Sequence, residues 1–236
     1  MSAQGTPVAV VSGAGSGIGA AVARALAQRG DALALVGRRR EPLERLAAEL
    51  GERVVVFPAD VRDADRLAEV AAAVTRGLGT VETVVAAAGV ARVGRLVDLS
   101  VEAVRESIET NLLGTAFLFR AFLPGMLARR RGTLVPLLSV AARKAFPDWS
   151  AYCASKWGTL GLVEALREEL AGSGVRIVAL TPGATETPLW DEVGGEWDRQ
   201  RMIPPAEVAR ALLWALDSGE RVAVEEIRLQ PPGGNL

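Results

Sequence analysis

The sequence predicts an α/β fold in a single domain, 1–236. We expect a doubly wound parallel sheet of about seven strands with helices on both faces. Three observations carry this expectation. Short, nearly continuous apolar runs recur along the chain, longer stretches with helical spacing separate them, and a glycine-rich turn follows the first run. Strands buried on both faces read as unbroken apolar runs, and strand–helix alternation implies βαβ units.

The elements follow in order. "VAVVS" (8–12) reads as the first strand and 18–28 as the first helix. "ALALV" (32–36) and the helical stretch 41–50 form the next unit, then "VVVF" (54–57) and 63–78. "TVVAA" (83–87) precedes a long helical stretch, 101–130, and "TLVPLLS" (133–139) precedes another, 150–172. "VRIVALT" (175–181) leads to 205–217, where Pro205 and Glu207 suit a first helical turn, and "EIRL" (226–229) reads as a short last strand. One residue conflicts with this pattern. Pro136 lies inside a central strand, where it removes a ladder donor.

Composition narrows the chemistry. Half of the residues are apolar and the net charge is −1, so bulk electrostatics favours neither nucleic acid nor acidic membranes. No apolar run is read as reaching the roughly 18–20 residues of a membrane span. The N-terminus "MSAQGTPVAVVSG" has no basic leader start. A single cysteine, Cys153, cannot form an internal disulfide, so the cytoplasm is the expected compartment. There is no histidine, which removes Ser-His-Asp and Cys-His chemistry and the usual zinc ligand sets. Acid–base work therefore falls to Asp, Glu, Lys or Tyr.

In "VAVVSGAGSGIGAAVARAL", glycines 13, 15, 17 and 19 lie between a strand and a helix. Gly13 permits a tight turn. Gly17 and Gly19 allow close approach of a pyrophosphate and of the sheet, and the helix start presents free N–H groups to phosphate. A glycine-rich turn alone can be no more than a flexible loop, but its place after the first strand of a βαβ run strengthens the phosphate reading. Further on, "SAYCASK" (150–156) holds the chain's one tyrosine, Tyr152, one helical turn before Lys156. A lone Y-x-x-x-K is commonly an exposed helical pair. Here Ser139 ends the preceding strand, and ligands of open α/β sheets bind beyond strand C-termini.

Ser139, Tyr152 and Lys156, with the spacing Gly13-x3-Gly17-x-Gly19, resemble the short-chain dehydrogenase/reductase family. The resemblance runs from Val8 to Leu229 and implies a Rossmann-type fold and an oxidoreductase. It implies a catalytic set of Asn111, Ser139, Tyr152 and Lys156. Tyr152 would pass a proton to or from the substrate oxygen, Ser139 would hydrogen-bond that oxygen, and Asn111, from "ETNLLGT", would hold a water linked to Lys156. A nearby cation lowers a tyrosine pKa, so Lys156 is expected to bring Tyr152 below its usual value near 10.

The resemblance also assigns a nicotinamide dinucleotide to Gly13, Ser16, Gly17, Ile18 and Gly19 in the turn and to Asp60 and Val61 at the adenine. Ala88 and Gly89 belong to "AAAG", which stands where the family usually has N-N-A-G. Tyr152, Lys156, Pro182, Gly183, Thr185 and Thr187 complete the nicotinamide side. At the second strand's end, Gly37 replaces the acid of NAD-users and Arg38 follows, so NADP(H) is expected over NAD(H). Arg39 and Arg40 are read as loop decoration. A lid at about 184–204 and the segment 140–149 would wall the substrate, with Phe146, Trp149, Trp190 and Trp197 as candidates. The lid acids Asp191, Glu192, Glu196 and Asp198 are read as a solvated face rather than a cation site. The implied partners are a small carbonyl or alcohol and a second copy of the chain, as homodimer or homotetramer. The alternatives are a catalytically silent dinucleotide sensor, an NAD-dependent alcohol dehydrogenase, and an epimerase using the same Tyr-Lys pair.

Overall fold

The computed structural model describes residues 6–218 and 222–234. The first five residues, part of the segment read as lacking a basic leader start, lie outside the described residues. The elements are β1 (Val8–Ser12), α1 (Gly17–Arg29), β2 (Ala32–Gly37), α2 (Arg40–Leu50), β3 (Val54–Pro58), α3 (Ala64–Gly77), β4 (Val81–Ala86), α4 (Val101–Ile108) and α5 (Gly114–Arg129). They continue with β5 (Gly132–Pro136), α6 (Ser150–Leu170), β6 (Val175–Ile177), β7 (Ala179–Pro182), α7 (Leu189–Val193), α8 (Pro205–Leu216) and β8 (Glu226–Leu229).

Six strands form one sheet in the order β3-β2-β1-β4-β5-β6, and β7 pairs with β8. Every ladder is parallel. Chain direction across the sheet reverses between β1 and β4, which opens a crevice beyond their C-terminal ends. Strand alternation divides the core. Val8, Val10, Val36, Val84 and Leu134 pack with Leu67 of α3, Phe119 of α5 and Val163 of α6. Ala9, Val11, Leu35, Val85 and Val135 pack on the other face with Leu26 of α1, Leu43 of α2 and Leu212 of α8. The sheet is therefore apolar on both sides, as its unbroken runs require.

Two elements differ from the sequence reading, each for a local reason. The run 175–181 is two strands in two sheets. Leu134 is in register with Ile177, Val178 N–H donates to Leu134 O at 2.9 Å, and Leu138 N–H donates to Leu180 O at 2.7 Å. The donor between those rungs falls at Pro136, which has no N–H, so the ladder breaks there. The conflict seen in the sequence is the site of the break, and β7 turns to pair with β8.

The long helix 101–130 is also interrupted. A π-helical turn, Glu109–Leu113, separates α4 from α5. Val101–Arg129 as a whole is long and apolar enough to cross a membrane by length and composition. It is a core helix here, with Leu118, Phe119, Phe122 and Met126 buried between α3 and the sheet.

Candidate active site

The glycine turn closes β1 against its neighbour. Gly13 has φ of +65°, and a Cβ there would stand 2.6 Å from Ala88 N. Gly19 is needed for a different reason: its Cβ would meet Gly13 O at 2.3 Å, so it lets α1 start against the turn. Ser16 is the N-cap of α1 without a side-chain cap, and the first turn holds no acid. The N–H groups there and the positive dipole end are thus neither capped nor neutralised by a side chain, which suits an anion. Ser12 contributes what the sequence reading missed. Its hydroxyl accepts from Ala87 N at 3.2 Å and Ala88 N at 3.3 Å, holding the "AAAG" backbone where alanines replace asparagines.

One cavity runs from this turn to the lid. Gly13, Ser16, Gly17, Ile18 and Gly19 line one end. Ala88, Gly89, Ser139, Tyr152, Lys156, Pro182, Gly183, Thr185 and Thr187 line its middle, and Phe146, Trp149, Trp190 and Trp197 its far end. A second cavity shares Gly13, Ser16, Ala88 and Gly89 with the first and is lined by Gly37, Arg38, Asp60 and Val61. The two together fit an extended dinucleotide, with Gly37 and Arg38 at one end and Tyr152 toward the other. Arg39 lines both cavities. Adjacency to Arg38 was the signal for it. Arg40 does fit the surface reading, paired with Glu44 one turn along α2. Asp60 grips Arg62 through both oxygens, and this guanidinium holds its carboxyl below the usual range.

Ser139, Tyr152 and Lys156 meet at the C-terminal edge of the sheet. Ser139 caps the 3₁₀ turn Val140–Ala142, accepting from Ala141 N. Tyr152 and Lys156 share the buried face of α6. Lys156 Nζ donates to Leu137 O at 2.7 Å and lies 5.7 Å from the Tyr152 ring centroid. Burial dominates both groups. It pushes the Tyr152 phenol up to about 12, against the Ser139 hydroxyl, whose hydrogen bond acts the other way. It brings the Lys156 amine down to about 8. The expected lowering of Tyr152 by Lys156 is therefore not found: burial raises the phenol, and the group that acts the other way is Ser139.

Asn111 sits in the π-helical turn, a common place for functional residues. Its side chain clamps Val90 at both backbone groups: Oδ1 accepts from Val90 N and Nδ2 donates to Val90 O, both at 2.9 Å. Nδ2 also donates to Ser155 Oγ at 2.8 Å. Val90 and Ser155 were missed in the sequence, because neither carries a motif. The lid acids divide: Asp191 pairs with Arg199 and Asp198 caps Gln200, whereas Glu192 lines the cavity and pairs with Arg92 at 2.9 Å.

Fold and site together define an α/β oxidoreductase built for a dinucleotide. The model of the short chain dehydrogenase family matches residues 7–197, and the chain belongs to that family. It is 38% identical over 235 residues to the glycine betaine reductase of Emericella nidulans, covering 95% of this chain but only 18% of that protein's length. It is 35% identical to the sepiapterin reductase of Chlorobaculum tepidum, across 97% of this chain and 98% of that one. An alcohol dehydrogenase from Thermococcus sibiricus, solved with 5-hydroxy-NADP, superimposes with a TM-score of 0.90 at 34% identity, covering 98% of this chain and 99% of that one.

Proposed function

We propose that the chain is an NADP(H)-dependent oxidoreductase that moves hydride between a nicotinamide and a small carbonyl or secondary alcohol. The observation that carries this reading is the meeting of Ser139, Tyr152 and Lys156 in a cavity continuous with the glycine turn of α1. Solved NADP complexes of relatives with this fold support the cofactor class. When bound, a nicotinamide dinucleotide supplies the carbon that gives or takes hydride. The protein supplies position and protons. The backbone of the turn and the start of α1 would hold the pyrophosphate. Tyr152, protonated across the neutral range, would give its proton to the carbonyl oxygen during reduction, while Ser139 hydrogen-bonds that oxygen as charge develops. Lys156 would hold the ribose and, while charged, favour the phenolate left behind. Asn111 keeps the Val90 backbone fixed beside them. We read the working form as a homodimer or homotetramer.

The test is Tyr152→Phe, which removes only the hydroxyl. Reduction of a carbonyl panel, followed through nicotinamide absorbance, should fall below detection while dinucleotide binding stays within about threefold. A variant that keeps a tenth or more of wild-type kcat would show that the proton donor is another group.

A further inference from the structure

The cavity beside Tyr152 ends in three indoles. Trp149 stands edge-on to Tyr152, with centroids 5.5 Å apart and planes at 73°. Trp190 meets Trp149 at 5.9 Å and 62°, and Trp197 meets Trp190 at 4.8 Å and 54°. Planes so inclined make a bent aromatic surface rather than a flat stack. Two of the indole donors are already used within the lid: Trp190 Nε1 donates to Thr185 O at 2.9 Å and Trp197 Nε1 to Gly194 O at 2.6 Å. Those two rings present π-systems and no free N–H.

Aromatic surface alone would suit any apolar substrate, but the charge beside it discriminates. Among the described residues lining this cavity, the charged side chains are Arg39, Lys156 and Glu192. Lys156 is committed to Leu137 O. Arg39 caps α2, at the dinucleotide end. Glu192 pairs with Arg92 at 2.9 Å, and Arg92 also holds Glu106 at 2.8 Å, which has Arg38 at 3.8 Å as a second partner. The indole end is thus electron-rich, and Glu192 is the carboxylate among its lining residues.

We propose that the substrate carries a quaternary ammonium group, seated against Trp149, Trp190 and Trp197 with Glu192 beside it, and its carbonyl directed to Tyr152. A cation within about 6 Å of an indole face is attracted by the ring quadrupole, and aromatic cages are the known solution for quaternary ammonium. Such a group donates no hydrogen bond, so it suits the Trp190 and Trp197 rings, whose N–H groups are already bonded, and needs from Glu192 only its charge. In reduction the substrate's C=O π bond breaks. The carbon gains the hydride of the reduced dinucleotide and the oxygen gains the Tyr152 proton, giving the alcohol and the oxidised dinucleotide.

This inference rests on the oxidoreductase reading, so the experiment separates the two. Trimethylammonioacetaldehyde and 3,3-dimethylbutanal have the same shape and differ in one atom, N⁺ against carbon. With NADPH, kcat/KM should favour the charged aldehyde by about tenfold or more, the scale of a desolvated cation–π contact. Glu192→Gln and Trp190→Leu should each cut the preference for the charged over the neutral aldehyde, read as the ratio of their kcat/KM values, by about fivefold or more. Glu192 is exposed, so its variant tests the idea even if Trp190→Leu does not fold. The corresponding alcohols, choline and 3,3-dimethylbutan-1-ol, are titrated against tryptophan fluorescence, where no turnover is needed. Tighter binding of choline without reduction of either aldehyde would uphold the cage and reject the oxidoreductase reading. Equal or tighter binding of the neutral alcohol, or equal kcat/KM for the two aldehydes, would overturn the cage.

Discussion

Lys156 Nζ donates to the main-chain oxygen of Leu137 at 2.7 Å, tying α6 to the end of β5. Leu137 itself donates to Ala86 O at 3.0 Å, so one residue joins the lysine to the sheet. The amine is buried, and burial lowers its pKa from 10.5 to about 8. Between those two values the unfolded chain binds a proton that the folded chain does not. Stability from this group therefore rises with pH across that window and is lowest below about 8. Tyr152 acts above it: its pKa is raised from 10.0 to about 12, so its contribution is full below 10 and is lost as pH climbs toward 12. We expect Lys156→Met, measured without added dinucleotide, to raise the urea midpoint at pH 7 and to remove the wild type's rise between pH 8 and 10. The same variant should lose turnover. A midpoint unchanged at pH 7 would mean that the buried charge is already compensated.

Asn111 offers a second measurement. Its amide satisfies the N–H and C=O of Val90 and the hydroxyl of Ser155, all buried. Asn111→Ala leaves the two Val90 groups without partners, while the Ser155 hydroxyl still donates to Tyr152 O; an unsatisfied buried polar group costs about 1–3 kcal/mol. A loss of about 2–4 kcal/mol in urea unfolding is expected, since some groups find water. Asn111→Asp keeps the acceptor for Val90 N–H and loses both donors, so it should fall between. A loss below about 0.5 kcal/mol for Asn111→Ala would show that the clamp is not structural.

Much of this architecture was readable because its physics is local. Unbroken apolar runs located β1, β2 and β4, and the Tyr152–Lys156 spacing placed both on one face of α6. What the sequence hid depends on partners distant along the chain. The break between β6 and β7 needs the register of β5 against β6, which no periodicity reveals. The π-helical turn at Asn111 lies inside an unbroken helical pattern. Ser12 under Ala87 and Ala88, and Arg92 between Glu106 and Glu192, join segments up to 100 residues apart. The Tyr152 pKa went the other way because depth of burial, unlike spacing, is a property of the folded core.

Assembly is tested on α5 and α6. Trp157 on α6 is 52% exposed, Leu127 on α5 40% and Leu113 at its start 38%. Light scattering at micromolar concentration should give a mass of two or four times 24.8 kDa. Trp157→Glu should shift it toward one chain while leaving the circular dichroism spectrum unchanged. A wild type found only at 24.8 kDa would reject the homo-oligomer.

Cofactor choice turns on the end of β2. Gly37 has no side chain to accept from a ribose 2′-hydroxyl or to repel a phosphate, and Arg38 lines the same cavity. Arg38 lies 3.8 Å from Glu106, a long and half-exposed pairing that a 2′-phosphate can displace. Glu106 keeps its shorter contact with Arg92, so the exchange does not strand a carboxylate. A hydrogen bond to a charged group contributes roughly 1.5–3 kcal/mol, about ten- to a hundredfold or somewhat more in affinity. NADP(H) should therefore exceed NAD(H) by at least tenfold in kcat/KM. Gly37→Asp with Arg38→Leu should reverse the preference by removing the phosphate's partner and adding a like charge. Arg39→Leu, at the junction of the two cavities, should weaken both cofactors, with the larger loss for NADP(H). Raising salt should narrow the wild-type preference, because exposed charge pairs are screened. Equal wild-type activity with the two cofactors, or a double variant that still favours NADP(H), would reject this strand end as the selector.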